Sequence, residues 1–281
     1  MELLRLGDPG REIPAARDAG TVHDLRPLTP DLDGSFWDGG VARVRAALDA
    51  GTLPVLEGAD RMRVGAPVAR PGAILCIGQN YAAHAAESGS PVPTNPILFF
   101  KHPNTLVGPN DPVVMPRGAT ELDWEAELAV VIGRRASYLA SPEEALAHVA
   151  GYTVANDVSE RVWQRERGGP QWGKGKSMPT SNPLGPAVIP ADEVDPRALR
   201  IWSRVNGEPR QDSTTADMIF SVAQLVYDLS QYLTLEPGDV IDTGTPQGVA
   251  LSGRFPYLQV GDRLEVGVDG LGAHDTTVAA G

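Results

Sequence analysis

The chain holds one cysteine, Cys76, among 281 residues. No disulfide can close within it, and the apolar run around that residue, Ala73–Gly78, reads as a buried strand carrying a free thiol in a reducing compartment, not a nucleophile. Basic residues are few and scattered. Lys and Arg number 24 against 36 Asp and Glu, the formal net charge is −12 and the pI is about 4.8. With no Lys/Arg block, neither nucleic acid nor an anionic membrane surface is expected as a partner. No apolar run is long enough to cross a bilayer, and the opening MELLRLGDPGRE lacks the apolar core of a signal peptide. The expectation is a soluble, cytoplasmic protein. Internal repeats and low-complexity tracts are absent.

A hydrophobic content of 42% is enough for a substantial core, and Gly 31 with Pro 25 makes turns frequent. Frequent turns favour many short strands over a helical bundle, so the expected class is α+β, mostly β. Residues 1–70 read as a small N-terminal unit, a β-rich cap or dimerisation element. It has strands at Glu2–Leu6 and Thr21–Leu25 and a helix over Gly40–Asp49 that Gly51 would end. Residues 71–281 carry the chemistry-bearing motifs.

The stretch Leu122–Gly133, LDWEAELAVVIG, organises those motifs. At a period of two, Leu122, Trp124, Ala126, Leu128, Val130 and Ile132 share an apolar face, and Asp123, Glu125 and Glu127 share the other. On one continuous strand Glu125 and Glu127 stand roughly 7 Å apart and point the same way. Two carboxylates at the edge of a core repel and lose solvation. Either one stays protonated, or a cation sits between them, and a hard divalent ion with oxygen ligands is the natural occupant. The bland reading of the same spacing is the wet face of an antiparallel sheet.

Further along, Asn80-Tyr81-Ala82-Ala83-His84-Ala85-Ala86-Glu87 predicts a helical turn with His84 and Glu87 on one face. A carboxylate beside an imidazole fixes its tautomer and raises its basicity, as a general base requires; the alternative is an incidental surface ion pair. Ser88-Gly89-Ser90-Pro91 would let that turn act as a lid. Asp157 follows the short strand Tyr152–Ala155 and is read in two ways, as a helix cap with Glu160 reaching back, or as a third oxygen ligand beside Glu125 and Glu127. Arg161 and Gln164 share a face of the helix that follows. Lys174 and Lys176 make the densest positive spot in an acidic chain, and Lys176 is the better candidate for holding a substrate carboxylate. Met218–Leu233 predicts the one long helix, with Pro237-Gly238 beyond it. Thr243-Gly244-Thr245-Pro246-Gln247-Gly248-Val249 could close on an anion through backbone N–H groups, but lacks the lysine of a phosphate-binding Walker loop.

Taken together, Asn-Tyr-x-x-His-x-x-Glu at 80–87, Asp-Trp-Glu-x-Glu-Leu at 123–128, Asn-Asp-Val-Ser-x-Arg at 156–161, Lys-Gly-Lys-Ser at 174–177, Pro-Leu-Gly-Pro at 183–186 and Thr-Gly-Thr-Pro-x-Gly-Val at 243–249 resemble the catalytic domain of the fumarylacetoacetate hydrolase family. The resemblance runs from about Pro71 to the end. Glu166-Arg167-Gly168-Gly169 and the opening Leu-Leu-Arg-Leu-Gly look most like the branch acting on 2,4-diketo-3-deoxy sugar acids, such as the L-fuconate and L-rhamnonate derivatives. One departure stands out. Where the family commonly has an acid shortly after Lys-Gly-Lys-Ser, this chain has Pro179.

The resemblance implies a mixed β-roll with a small N-terminal α/β domain, usually as a homodimer. It implies one divalent metal, Mg²⁺ or Mn²⁺, held by Glu125, Glu127 and Asp157. It makes His84 and Glu87 the base dyad on a lid and Lys176 a catalytic cation, with Arg161, Gln164 and Thr245 on the substrate side. The implied reaction is hydrolysis of a C–C bond in a small anionic 2,4-diketo acid, releasing pyruvate or a similar 2-oxo acid. The same enolate chemistry serves decarboxylation or isomerisation of related 2-oxo acids. A β-roll that binds metal without turnover is a further reading. A two-carboxylate glycosidase is weak, because no paired aromatic sugar platforms are evident.

Overall fold

Ala126–Ile132 is buried at every position and has a strand on each side. A run apolar on both faces, Leu128 to Ile132, is what a strand covered above and below requires. Leu128, Val130 and Ile132 face one core with Ile201, Leu264, Val266, Leu225 and Val226. Ala129 and Val131 face a second core with Leu3, Phe36, Trp37, Val44, Leu184 and Val188. Burying one such Leu or Val side chain fully contributes about 1.5–3 kcal/mol.

The computed structural model describes residues 1–281, and they form a mostly β fold of mixed sheets with short helices. The main sheet runs in the order Thr21–Asp24, Ile13–Asp18, Glu2–Leu6, Asn182–Pro190, Val149–Asn156, Ala126–Ile132, Val240–Asp242, Ile74–Gly78, Ile97–Lys101. The pairing of Val240–Asp242 with Ile74–Gly78 is parallel, and the other neighbours along this path are antiparallel. A second sheet of five strands, Glu208–Thr214, Arg200–Val205, Arg263–Val268, Gly272–Ala280 and Val113–Met115, packs across the first core. The hairpin at Asn206-Gly207 has positive φ at both residues, 54° and 79°, as a two-residue turn demands. The N-terminal strands extend the main sheet through the Leu3↔Val188 pairing, so residues 1–70 and the later strands share the second core.

Two elements differ from the sequence reading. Leu122–Gly133 is two strands, Leu122–Asp123 and Ala126–Ile132, with a break at Trp124-Glu125. Side chains replace the ladder there. The Glu125 N–H donates to Asn156 Oδ1 at 3.0 Å, the Ala126 N–H donates to Gln211 Oε1 at 3.0 Å, and Asp123 accepts from the N–H groups of Trp124, Ala250 and Leu251. The helix expected over Met218–Leu233 spans Val222–Ser230, and Gly40–Asp49 is one residue longer. Ser221 and Gln224 form a reciprocal capping box that sets its start, while Asn80 holds the extended backbone of Ile219 and Phe220.

The register places the site. Ala126 pairs with Asn156, and Ala129 with Asp242, in antiparallel ladders. The start of one strand therefore meets the ends of its two neighbours. Glu125, Glu127, Asp157 and the Thr243–Thr245 loop come together at that end of the sheet, and Gly78-Gln79-Asn80 joins them through the parallel pair.

Candidate active site

Three carboxylates converge there. Glu125, Glu127 and Asp157 each offer one oxygen, and these atoms lie within 4.8 Å of one another in a buried setting. Asp157 does not cap a helix. The helix Arg161–Arg165 is capped by Glu160, whose side chain accepts from the Trp163 N–H, and both Asp157 oxygens go to lysines instead. Lys176 Nζ donates to Glu125 Oε2 and Asp157 Oδ2, each at 2.6 Å. Lys101 Nζ donates to Asp157 Oδ1 at 2.6 Å and to the Ser181 carbonyl at 2.6 Å. Arg161 bridges Asp123 and Glu125 at 2.7 Å each and donates to Gln164 Oε1 at 3.0 Å. Gly175 makes this docking possible, because a Cβ there would stand 2.4 Å from the Gln164 nitrogen and 2.5 Å from the Glu160 oxygen.

Glu127 has a different environment. Its Oε2 accepts from the Gly244 N–H at 2.7 Å, and no cation pairs with it. Gly244 adopts φ +99° and lies against Asn80, a position closed to a side chain. Burial and then the neighbouring carboxylates of Asp157, Asp242 and Glu125 push the Glu127 carboxyl well above its ordinary range. Burial and then Asp157 push Asp242 up to about 7. Burial works the same way on Glu125, but Lys176 and Arg161 outweigh it and hold that carboxyl at about 2.

Five buried carboxylates, Asp123, Glu125, Glu127, Asp157 and Asp242, thus face three buried cations, Lys101, Arg161 and Lys176. Glu127 and Asp242, the two acids with no cation against them, favour their protonated forms, and a cation beside Glu127 would take the place of its proton. An all-oxygen donor set of this kind suits one hard divalent cation, with Glu125, Glu127 and Asp157 as the residues placed to hold it.

A cavity of 380 Å³ opens beside the carboxylates, lined among others by His84, Glu87, Glu125, Glu127, Arg161, Gln164, Lys176 and Thr245. Asp157 lies behind it, completely buried. His84 and Glu87 sit on the helix Ala82–Glu87, with His84 Nδ1 facing Glu87 Oε2 at 3.7 Å. Glu87 also accepts from the Gly248 N–H at 3.0 Å and pairs with Arg254 at 2.9 Å. Burial of Glu87 is outweighed by His84, Gly248 and Arg254, so its carboxyl stays below the ordinary range. Thr245 Oγ1 donates to the Ala126 carbonyl at 2.9 Å and accepts from Gln211 Nε2 at 2.8 Å.

All nine residues singled out in the sequence therefore meet in one region. The sequence reading assigned no part in it to Lys101, Asp242 or Gln211. Lys101 carried a trace: a lysine closing the apolar run Ile97–Phe100. Lys174 stays at the surface, donating to the Arg167 carbonyl.

A mostly β fold with a cluster of buried acids opening on a polar cavity defines a small-molecule enzyme. Residues 73–279 match the family model described as fumarylacetoacetate (FAA) hydrolase, C-terminal. A Burkholderia multivorans protein, provisionally named a hydrolase with no substrate given, is 49% identical over 278 residues, covering 97% of this chain and 96% of that relative. Among solved structures, fumarylacetoacetate hydrolase from Exiguobacterium antarcticum is 36% identical with a TM-score of 0.87, covering 100% of both chains. Maleylpyruvate hydrolase from Sphingobium sp. SYK-6 is 28% identical with a TM-score of 0.82, again over 100% of both. The chain belongs to the fumarylacetoacetate hydrolase family and is a hydrolase of that family.

Proposed function

We propose that this enzyme hydrolyses the C–C bond of an acylpyruvate, a 2,4-diketo acid, to pyruvate and a carboxylic acid. The observation that carries the reading is the convergence of Glu125, Glu127 and Asp157 within 4.8 Å beside a cavity that also exposes the His84–Glu87 pair. Glu125, Glu127 and Asp157 would hold one Mg²⁺ or Mn²⁺. When bound, that ion supplies Lewis acidity at the oxygens of the 2-oxo acid. Lys176 sits among the same carboxylates and adds a positive contact for the substrate. Arg161 and Gln164 line the wall beside it, and Thr245 the opposite loop.

Glu87 faces His84 Nδ1 at 3.7 Å and would orient the ring on closing to hydrogen-bond distance, leaving Nε2 to take a proton from water. Such general-base assistance typically gives about 10²–10⁴-fold. The hydroxide formed adds to the C4 carbonyl, the bond between C3 and C4 breaks, and the electron pair leaves on the pyruvate fragment as its enolate. The proton held by His84 is returned to C3, so one water is consumed and two acids are released. The buried cations near that end of the substrate favour the developing charge.

The test is pyruvate release from acetylpyruvate with Mg²⁺, Mn²⁺ or EDTA. Release with metal, its loss with EDTA, and its loss in a folded Glu125→Ala variant are expected. Undiminished release by Glu125→Ala in EDTA contradicts the reading. Isomerisation or decarboxylation of a 2-oxo acid without C–C hydrolysis would assign the same site to the other enolate reactions.

A further inference from the structure

The loop 243–249 could close on an anion only through free N–H groups, and at three positions these are taken. The N–H of Thr243 goes to the Leu128 carbonyl at 3.1 Å, that of Gly244 to Glu127 at 2.7 Å and that of Gly248 to Glu87 at 3.0 Å. The Thr245 hydroxyl is fixed as well. It forms a closed set of hydrogen bonds with Ala126, which stands between the two glutamates, and with Gln211, which is 1% exposed on the strand Glu208–Thr214.

The direction of every bond in that set is determined. The Ala126 N–H can only donate, so the Gln211 atom 3.0 Å from it is the oxygen, Oε1. The Pro246 carbonyl can only accept, so the Gln211 atom 2.8 Å from it is the nitrogen, Nε2. Nε2 donates its other hydrogen to Thr245 Oγ1 at 2.8 Å. The Ala126 carbonyl can only accept, so the Thr245 hydroxyl hydrogen goes to it at 2.9 Å. Ser203 Oγ completes the amide by donating to Oε1 at 2.9 Å. A hydroxyl has one hydrogen and two lone pairs. Thr245 has its hydrogen and one lone pair in use, so what it can offer a ligand in the cavity it lines is one acceptor and no donor.

We infer that Thr245 holds the water of the proposed hydrolysis by accepting one of its hydrogen bonds, and that Gln211 is the positioning residue that fixes this polarity. The inference rests on the acylpyruvate reading above. A 2,4-diketo acid in its diketo form carries a carboxylate and two carbonyls, all of them acceptors. Water is then the one donor that the reaction brings to this cavity. One of its hydrogens goes to His84 Nε2 as the proton removed. The other stays on the oxygen, as that of the hydroxide, and is held by Thr245 Oγ1, which leaves the oxygen lone pairs for C4. Ala126 contributes both its N–H and its carbonyl to the set, so the same hydrogen bonds place the hydroxyl relative to Glu125 and Glu127.

The experiment measures kcat and KM for acetylpyruvate in the metal-loaded wild type, in Thr245→Val, Thr245→Ser and Gln211→Met, and in the double variant Gln211→Met with Thr245→Val. Thr245→Val is expected to lower kcat by about 10-fold or more with KM unchanged, and Thr245→Ser, which keeps the hydroxyl, to restore it. Calorimetric Mn²⁺ binding should be the same in Thr245→Val as in the wild type, which separates a lost water contact from a disturbed site. Gln211→Met should lower kcat likewise, and the double variant should lose no more than the larger single loss, since both act through one hydroxyl. If Gln211→Met does not fold, the two Thr245 variants decide. A raised KM with kcat intact overturns the inference, because Thr245 then holds the substrate itself. Unchanged kcat in Thr245→Val, a Thr245→Ser variant as impaired as Thr245→Val, or additive losses in the double variant overturn it too, while the hydrolase reading stands. No cleavage of acetylpyruvate by the metal-loaded wild type overturns the acylpyruvate reading and this inference together.

Discussion

Lys101 carries its charge where water does not reach, at 1% exposure. Its ammonium is held by Asp157, the Ser181 carbonyl and, at 3.3 Å, the Val158 carbonyl, so all three N–H donors are used. It fixes one oxygen of Asp157 while Lys176 takes the other. Removing one partner of a buried pair leaves an uncompensated charge, so Lys101→Met is expected to cost about 3–5 kcal/mol in urea unfolding. A loss below about 1 kcal/mol would mean that Asp157 does not depend on it. At this scale the sequence was informative where residues belong to motifs. Glu125, Glu127, Asp157, His84 and Glu87 could be picked out by spacing. Lys101 and Asp242 could not, because their partners lie 56 positions away for Lys101, and 166 for the Cys76 thiol beside Asp242. Only the roll of the sheet brings such distant pairs together.

Between elements, His274 joins three strands. It stands on Gly272–Ala280, and its Nε2 lies 3.1 Å from the carbonyl oxygens of both Val154 and Gly185 on two neighbouring strands. Nε2–H must donate to them, which leaves Nδ1 as the unprotonated nitrogen, buried and without a partner. Burial lowers the His274 pKa from 6.5 to about 4, despite the two carbonyls. The unfolded chain takes up this proton near pH 6.5 and the folded chain only near pH 4, so the folded state loses stability as pH falls through that window. The loss amounts to about 3 kcal/mol by pH 4. Stability against pH for the wild type and His274→Gln should differ in slope between pH 6.5 and 4, the variant being flatter; parallel curves would show His274 charging freely in the fold. The sequence reading assigned no strand over Gly272–Ala280 and gave no sign of what it crosses. It also overestimates the helix at Met218–Leu233, since apolar spacing continues through residues that Ser221 and Asn80 hold outside it. Alternation likewise runs through Trp124-Glu125, where side chains have replaced the ladder.

For the molecule as a whole, composition and turn frequency favoured many short strands over a helical bundle, and the mixed sheets were expected only from the family resemblance. The order of strands was not available to that reasoning. Ile74–Gly78 lies between Val240–Asp242 and Ile97–Lys101, and a parallel pair with a partner more than 160 positions away leaves no local trace. No helix is long and apolar enough to cross a membrane. The net charge of −12 is spread over a surface whose ion pairs are mostly exposed, whereas the buried charges concentrate at one end of the main sheet. Gathering these buried acids around three cations is costly unless protons or a further cation complete the set. Everything proposed about catalysis depends on a cation taking that place. Calorimetric titration of the chelator-stripped protein with Mn²⁺ tests it most directly, in the wild type and in Glu127→Gln. One ion per chain is predicted, with affinity reduced by about 100-fold or more in the variant. Absence of saturable binding in the wild type, or equal binding by Glu127→Gln, would contradict the account.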